Sequence, residues 1–233
     1  MSKQKRGKIL VIEGSDSSGK QTQTKLLIER LRNENIPCET MSFPRYETPT
    51  GRIIGGPYLG KSEICESWFD DPDKLDPKIA SLYYAGDRTA AVQEINEIIN
   101  FGTHLILDRY VESNMGHQGG KAKTLREKKE IIKFIHGLEY KLLNLPKPNE
   151  VIFLHMPTSV AIELRKRRNK KADGHESNIG HLHRTEGTYL QLARLYHWKK
   201  LECAPDETIN SLRTPEDIHE ELYKHIRKIL NIK

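Results

Sequence analysis

The feature that most constrains this chain is a glycine turn, Gly14-Ser-Asp-Ser-Ser-Gly19-Lys20, set directly after the apolar run Ile9-Leu-Val-Ile12. The run is short and β-branched, which predicts a strand buried on both faces, as in a parallel sheet. After the turn, Leu26, Leu27, Ile28 and Leu31 recur at helical spacing between Gln21 and Asn33. Strand, glycine loop and helix in that order make the G-x-x-x-x-G-K pattern of a phosphate loop. Glycines let backbone N–H groups converge on an anion, the helix N-terminus adds positive charge, and the lysine reaches the terminal phosphates. An ordinary turn with a chance Gly and Lys pattern competes with this reading, and the flanking strand and helix disfavour it. Gly14, Ser15, Asp16, Ser17, Ser18, Gly19 and Lys20, with Gln21 and Thr22 on the first helical turn, are the candidate phosphate-binding residues.

The same alternation continues downstream. Glu39 to Phe43, Thr103 to Leu107, Glu150 to His155 and Lys200 to Cys203 are read as strands. Lys78 to Asn100, Lys121 to Leu145, Ser159 to Lys171, Thr185 to Trp198 and a stretch from Pro215 are read as helices, and the Pro- and Gly-rich residues 47–77 as loops with short helices. Strands alternating with helices predict βαβ units: an α/β, three-layer fold with a central parallel sheet and helices on both faces. No repeat or linker interrupts residues 1–233, so one domain is expected.

The net charge of +6 suggests acidic partners without choosing between nucleic acid and small phosphorylated ligands. Cys38, Cys65 and Cys203 are an odd, widely spaced set that fits a reducing cytoplasmic setting, and no apolar run is long enough to span a membrane.

A phosphate loop serves switch or motor NTPases as well as kinases that pass the γ-phosphate to a small acceptor. A GTPase would carry a base-reading N-K-x-D segment, and none is present. A kinase needs a second anion pocket and cations around the transferring phosphoryl group. Leu105-Ile-Leu-Asp108-Arg109-Tyr110 puts an acid and an arginine at the end of a buried strand, where α/β sheets bind ligands. Glutamine at position 21, where Ser or Thr usually ligates magnesium, is a poorer ligand for a hard ion, so a carboxylate elsewhere is expected to help hold the metal.

Taken together, these segments resemble the thymidylate kinases. GSDSSGKQTQ is similar to that family's G-x-D-x-x-G-K-x-T-Q. Phe43-Pro-Arg-Tyr46 resembles its F-P-R segment, Tyr84-Ala-Gly-Asp-Arg88 its aromatic-x-x-x-Arg helix, and DRYVESNMGHQGG its D-R-Y-x-x-S-x-x-x-x-Q-G loop. The matches run in order from Lys8 to about Ile226.

The resemblance implies transfer of the γ-phosphate of ATP, with Mg2+, to dTMP. Asp16 would position the acceptor. Arg45 or Tyr46, with Arg109, would bind its monophosphate, Tyr84 would stack on the pyrimidine, and Phe43 would line the same pocket. Arg88, Ser113, Asn114 and Gln118 would read the thymine edge, and Asp108 would organise magnesium and its waters. Singly, each has a structural competitor: Tyr84 as packing, Arg88 as a solvated charge, Gln118 as a turn residue.

Arg165 to Lys171 carries six cations in seven residues. By itself this is a solvated face or a nucleic-acid patch. In the implied family it is a lid, about 165–178, with Arg165, Arg167 or Arg168 as the catalytic cation, because Ser17 stands where some members keep an arginine. Gly174 also replaces the arginine of the family's D-R-x-E. His117 stands where an aromatic often crowds the sugar, and Cys203 to Thr208 would suit a shallow adenine site. A homodimer, with neither nucleic acid nor membrane as partner, completes what the resemblance implies. A related kinase acting on a deoxynucleoside or another pyrimidine monophosphate is the second reading, and a nucleic-acid-associated P-loop ATPase the third.

Overall fold

The strand ahead of the glycine loop is β1 (Ile9–Gly14), and all six residues are buried. The structure, a computed structural model, describes residues 6–15, 17–167 and 179–232. Its other strands are β2 (Cys38–Ser42), β3 (His104–Asp108), β4 (Glu150–His155) and β5 (Lys199–Glu202). They form one sheet in the order β2-β3-β1-β4-β5, and every pairing is parallel. Ile12 lies beside Asp108 on one side and Ile152 on the other, so the glycine loop and the end of β3 emerge at the same edge.

The helices are α1 (Lys20–Asn33), α2 (Pro49–Ile53), α3 (Pro77–Ala90), α4 (Val92–Asn100), α5 (Val111–Gly119), α6 (Leu125–His136), α7 (Thr158–Arg167), α8 (Ile179–Leu195) and α9 (Pro215–Leu230). Wider helical turns at Ile54–Tyr58 and Gly137–Leu142 prolong α2 and α6. Alternation along β1 divides the core. Leu10 and Ile12 pack with Leu27, Leu31, Leu222 and Ile226 of α1 and α9. Ile9 and Val11 pack on the opposite face with Ile95, Ile99, Met115 and Ile131 of α4, α5 and α6. Each such side chain contributes roughly 1.5–3 kcal/mol by leaving water.

Two expectations need correction. The helix expected over Lys78 to Asn100 is two, broken at Ala91. Ala91, at φ −95° and ψ −5°, closes α3 with its N–H on Arg88 O; α3 buries Asp87 and Arg88, and α4 packs Ile95 and Ile99 with Ile9 and Val11 of the sheet. The helix expected from Lys121 begins at Leu125, where Thr124 accepts from the Glu127 N–H as its N-cap.

Helix α5 stands in the segment matched to the family's D-R-Y-x-x-S-x-x-x-x-Q-G loop, although its Ser, Asn and Gly residues are weak helix formers. Packing decides it. A Cβ on Gly116 would lie 2.6 Å from the Tyr189 ring, and one on Gly120 would lie 2.6 Å from Thr185 Oγ1, so these glycines let α5 and α8 approach closely.

Candidate active site

The loop that joins β1 to α1 turns through Gly19, whose φ of 86° is left-handed and disfavours side chains. A Cβ on Gly14 would meet Ser18 Oγ at 2.4 Å and Leu154 O at 2.8 Å. Lys20 is buried, and its ammonium donates to Gly14 O (3.0 Å) and Ser15 O (2.8 Å), so the charge lies along the loop's inner rim. Gln21 and Thr22 are exposed on the first turn of α1, and Ser18 Oγ is buried with no hydrogen-bond partner among the described residues. Asp16 lies outside the described residues.

Beside the loop opens a cleft of about 110 Å³. Phe43, Pro44, Tyr46 and Tyr84 supply its apolar wall, while Arg88, Arg109, Ser113, Asn114 and Gln118 supply polar groups. Arg109 joins the two halves. Its guanidinium lies 3.5 Å from Gly14 O, 3.4 Å from Ser113 Oγ and 3.2 Å from His117 Nε2. Its backbone φ of 69° is left-handed, which costs a non-glycine residue about 1–2 kcal/mol. Strain of this kind collects at functional sites.

Two buried amides on α5 are incompletely satisfied: Gln118 Oε1 and Asn114 Oδ1 have no partner among the described residues. Arg88 is 2% exposed and forms a two-point pair with Glu139, Nε to Oε2 at 2.5 Å and Nη2 to Oε1 at 2.8 Å. Asn114 Nδ2 donates to the same carboxylate at 2.8 Å. Glu139 carried no sequence signal, because it lies on the helical turn after α6 and meets Arg88 only through tertiary packing. Tyr84 packs edge-on to Tyr58 at 5.8 Å, and burial pushes its phenol pKa well above the ordinary value.

Arg45 is held away from the cleft. Its backbone N–H donates to Asp87 Oδ2 (2.9 Å), its Nε lies 3.6 Å from Asp87 Oδ1, and its Nη1 donates to Glu94 (3.3 Å). Of the Arg45 and Tyr46 alternatives for the monophosphate, only Tyr46 lines the cleft. Lys121 and His181, not singled out from the sequence, also line it.

Asp108 ends β3 at the phosphate-loop edge, is 6% exposed, and leaves Oδ1 without a partner among the described residues. A buried carboxylate oxygen with unused acceptor capacity, beside a phosphate loop, is suited to a hard cation or its waters. Among the described residues no group of three or more metal-ligating side chains occurs, so such an ion would draw most of its ligands from phosphate and water.

Glu13 stands between the apolar run Ile9 to Ile12 and the glycine turn and belongs to no motif. It is fully buried and accepts from the Tyr110 N–H (2.9 Å), Ser113 Oγ (2.8 and 3.0 Å) and Tyr189 OH (3.1 Å). Burial holds its carboxyl pKa above the ordinary value, and Arg109, Ser113, Tyr110 and Lys20 pull the other way.

At the base of the expected lid, Arg165 on α7 lines a small cleft with Ser15, Ser17 and Thr158. Arg167 instead pairs with Glu163 at 2.5 Å on the surface. Arg168, Lys170 and Lys171, and Asp173 to Glu176, lie outside the described residues. Cys203, from the segment suited to adenine, abuts the phosphate loop, with its Sγ 3.8 Å from Ser18 O.

The sequence profile of the family described as "Thymidylate kinase" matches residues 12–221. A thymidylate kinase from Schizosaccharomyces pombe is 27% identical over 227 residues, covering 95% of this chain and 92% of that protein. One from Homo sapiens is 24% identical over 222 residues, covering 94% and 89%. The solved structure of a thymidylate kinase from Candida albicans superposes with a TM-score of 0.73 at 22% identity, covering 98% of this chain and 94% of that one.

Proposed function

Because the chain belongs to the thymidylate kinase family, transferring the γ-phosphoryl group of ATP to dTMP to give dTDP and ADP, we propose how its residues divide that task. The observation that carries the division is Arg109, whose guanidinium reaches both the phosphate-loop carbonyl of Gly14 and the acceptor cleft.

The loop from Gly14 to Thr22 receives the ATP phosphates, with Lys20 moving from its carbonyl contacts onto the β- and γ-phosphates. Phe43, Tyr46 and Tyr84 enclose the thymine ring. Thymine offers one N–H donor flanked by two carbonyl acceptors, and the amides of Gln118 and Asn114, with the remaining Arg88 donors, match that pattern. Ser113 and Arg109 face the monophosphate, and Asp16 completes the acceptor contacts. Arg45 acts indirectly, fixing the Phe43–Tyr46 turn through Asp87.

In the reaction, an oxygen of the dTMP phosphate attacks the γ-phosphorus as the bond to the ADP oxygen breaks. The nucleophile is already anionic, so no general base is required. Positioning and charge neutralisation supply the catalysis. Arg109 aligns the attacking phosphate, and Lys20 and Arg165 neutralise the transferring group. Arg165 is favoured over Arg167 because it lines the cleft with Ser15 and Ser17 while Arg167 pairs with Glu163; Arg168 lies outside the described residues. Mg2+, held through Asp108 and water, would supply charge neutralisation of the ATP phosphates.

We also read residues 1–233 as one kinase domain with its lid at about 165–178. Free Cys38, Cys65 and Cys203 support a cytoplasmic setting, and no helix among the described residues is long and apolar enough to cross a membrane. A homodimer is supported by Ile79 and Leu82, one turn apart on α3 and each 49% exposed. ADP release measured across nucleosides and nucleoside monophosphates tests the whole reading. dTMP should be strongly preferred, and Lys20→Ala should cut turnover at least ~100-fold. Hydrolysis stimulated by DNA and indifferent to dTMP would overturn it.

A further inference from the structure

We infer that Glu13 is a positioning residue for phosphoryl acceptance, holding the Arg109–Tyr110 turn so that Arg109 faces the acceptor phosphate. The inference rests on the assignment of Arg109 to that phosphate.

Glu13 stands in a strand whose other interior positions are aliphatic, where an isoleucine or valine would pack without desolvating a charge. Its carboxylate does not point into the phosphate loop. Both oxygens are committed to three groups on three other elements. The Tyr110 N–H belongs to the turn that follows β3, Ser113 to α5 and Tyr189 to α8. All three donate, and a carboxylate is the side chain that accepts at both ends without offering a competing donor.

The turn is the part of the site with the clearest need for such an anchor. Arg109 is in the left-handed region, and the bonds on either side of its φ and ψ are fixed separately. Its own N–H donates to Ile12 O at 3.1 Å, while the next N–H donates to Glu13 Oε1 at 2.9 Å. Ser113 Oγ connects the same carboxylate to the guanidinium, 3.4 Å away. Tyr189 in turn is seated by stacking on Phe153 at 5.3 Å and stands edge-on to His117 at 5.9 Å. One buried carboxylate therefore ties β1, the strained turn, α5 and α8 together around the guanidinium.

The test is a double-mutant cycle on the full chain, made from Glu13→Gln, Arg109→Ala and the double variant, with kcat and the KM for dTMP and for ATP measured for each. Glutamine keeps the shape and turns an NH2 toward two of the donors. Glu13→Gln should raise the dTMP KM about tenfold and change the ATP KM less than about twofold. In the Arg109→Ala background it should add less than about threefold, because the residue acts through the missing side chain. Equal loss for both substrates, an unchanged dTMP KM, or full additivity would each overturn the inference.

An unchanged dTMP KM in Arg109→Ala alone would instead overturn the role of Arg109, which separates the two failures. If Glu13→Gln does not fold, Tyr189→Phe keeps the ring and removes one donor. It should raise the dTMP KM about threefold with the ATP KM constant, and no such selective rise would refute the positioning role.

Discussion

Glu139→Ala separates what the acceptor cleft owes to charge from what it owes to packing. Glu139 is fully buried and holds both Arg88, through two contacts of 2.5 and 2.8 Å, and Asn114, through a third of 2.8 Å. Removing its carboxylate strands a guanidinium that is itself 2% exposed. Leaving a buried charge uncompensated costs about 3–5 kcal/mol. For a chain of this size each kcal/mol is worth about 2–4 °C, so the melting temperature should fall by about 6–20 °C. Urea denaturation supplies the free energy directly, provided the slope with denaturant is unchanged.

The informative comparison is Arg88→Met combined with Glu139→Leu, which replaces the pair with apolar residues of similar volume. Such a replacement is often neutral or stabilising, so most of the loss should be recovered. Acceptor binding should not recover, because the Arg88 donors assigned to the thymine edge are gone. A loss below about 1 kcal/mol in Glu139→Ala would refute the energetic argument. Wild-type dTMP affinity in the double variant would remove Arg88 from the acceptor site.

Three further outcomes follow from the same geometry. His155 lies between Glu202 (2.5 Å) and Glu186 (2.9 Å); burial alone would lower its pKa, but the two carboxylates outweigh it and raise the pKa above 6.5. Glu186 and Glu202 are shifted below 4.5: burial opposes this, and hydrogen bonds to His155, with Thr158 or Lys200, prevail. The histidine contribution is full below its unfolded pKa and is lost as pH rises through the folded value, while the carboxylate contributions are lost as pH falls below 4.5. The cluster's contribution to stability should therefore decline as pH rises above 6.5, and His155→Gln should remove that part of the slope; an equal slope in the variant would count against the cluster. Gly116→Ala puts a methyl 2.6 Å from the Tyr189 ring and should destabilise the fold by about 1–3 kcal/mol in chemical denaturation, whereas a neutral result would mean that α5 and α8 separate freely. Asp108→Asn should raise the magnesium concentration needed for half-maximal rate about tenfold with little change in melting temperature, and an unaltered metal dependence would exclude Asp108 from that role.

How much of this was legible in the chain depended on how local the physics is. The phosphate loop needs only neighbours: an apolar strand, glycines able to take left-handed angles, a lysine and a helix start, all within residues 9–33. The parallel sheet follows from period and spacing, since strands separated by helices have little choice but right-handed crossovers. Asp108 and Arg109 were readable because a charged pair closing a buried strand is conspicuous in one dimension.

Other features depend on residues far apart in sequence. Helix α5 runs against its own propensities, and it forms because its glycines accept Tyr189 and Thr185 from α8. Arg45 matches a family segment, yet Asp87 and Glu94 turn its side chain away from the cleft. Glu13 and Glu139 are acids with no motif around them, and what distinguishes each is the set of donors that folding gathers about its buried carboxylate. The sequence by itself determined the strand, glycine loop and helix of residues 9–33 and the alternation that builds a parallel sheet, because those depend on local backbone geometry and hydrophobic period. Only the tertiary structure decided which buried charges are paired and which polar atoms remain open to a substrate, because those are set by neighbours that the chain brings together only on folding.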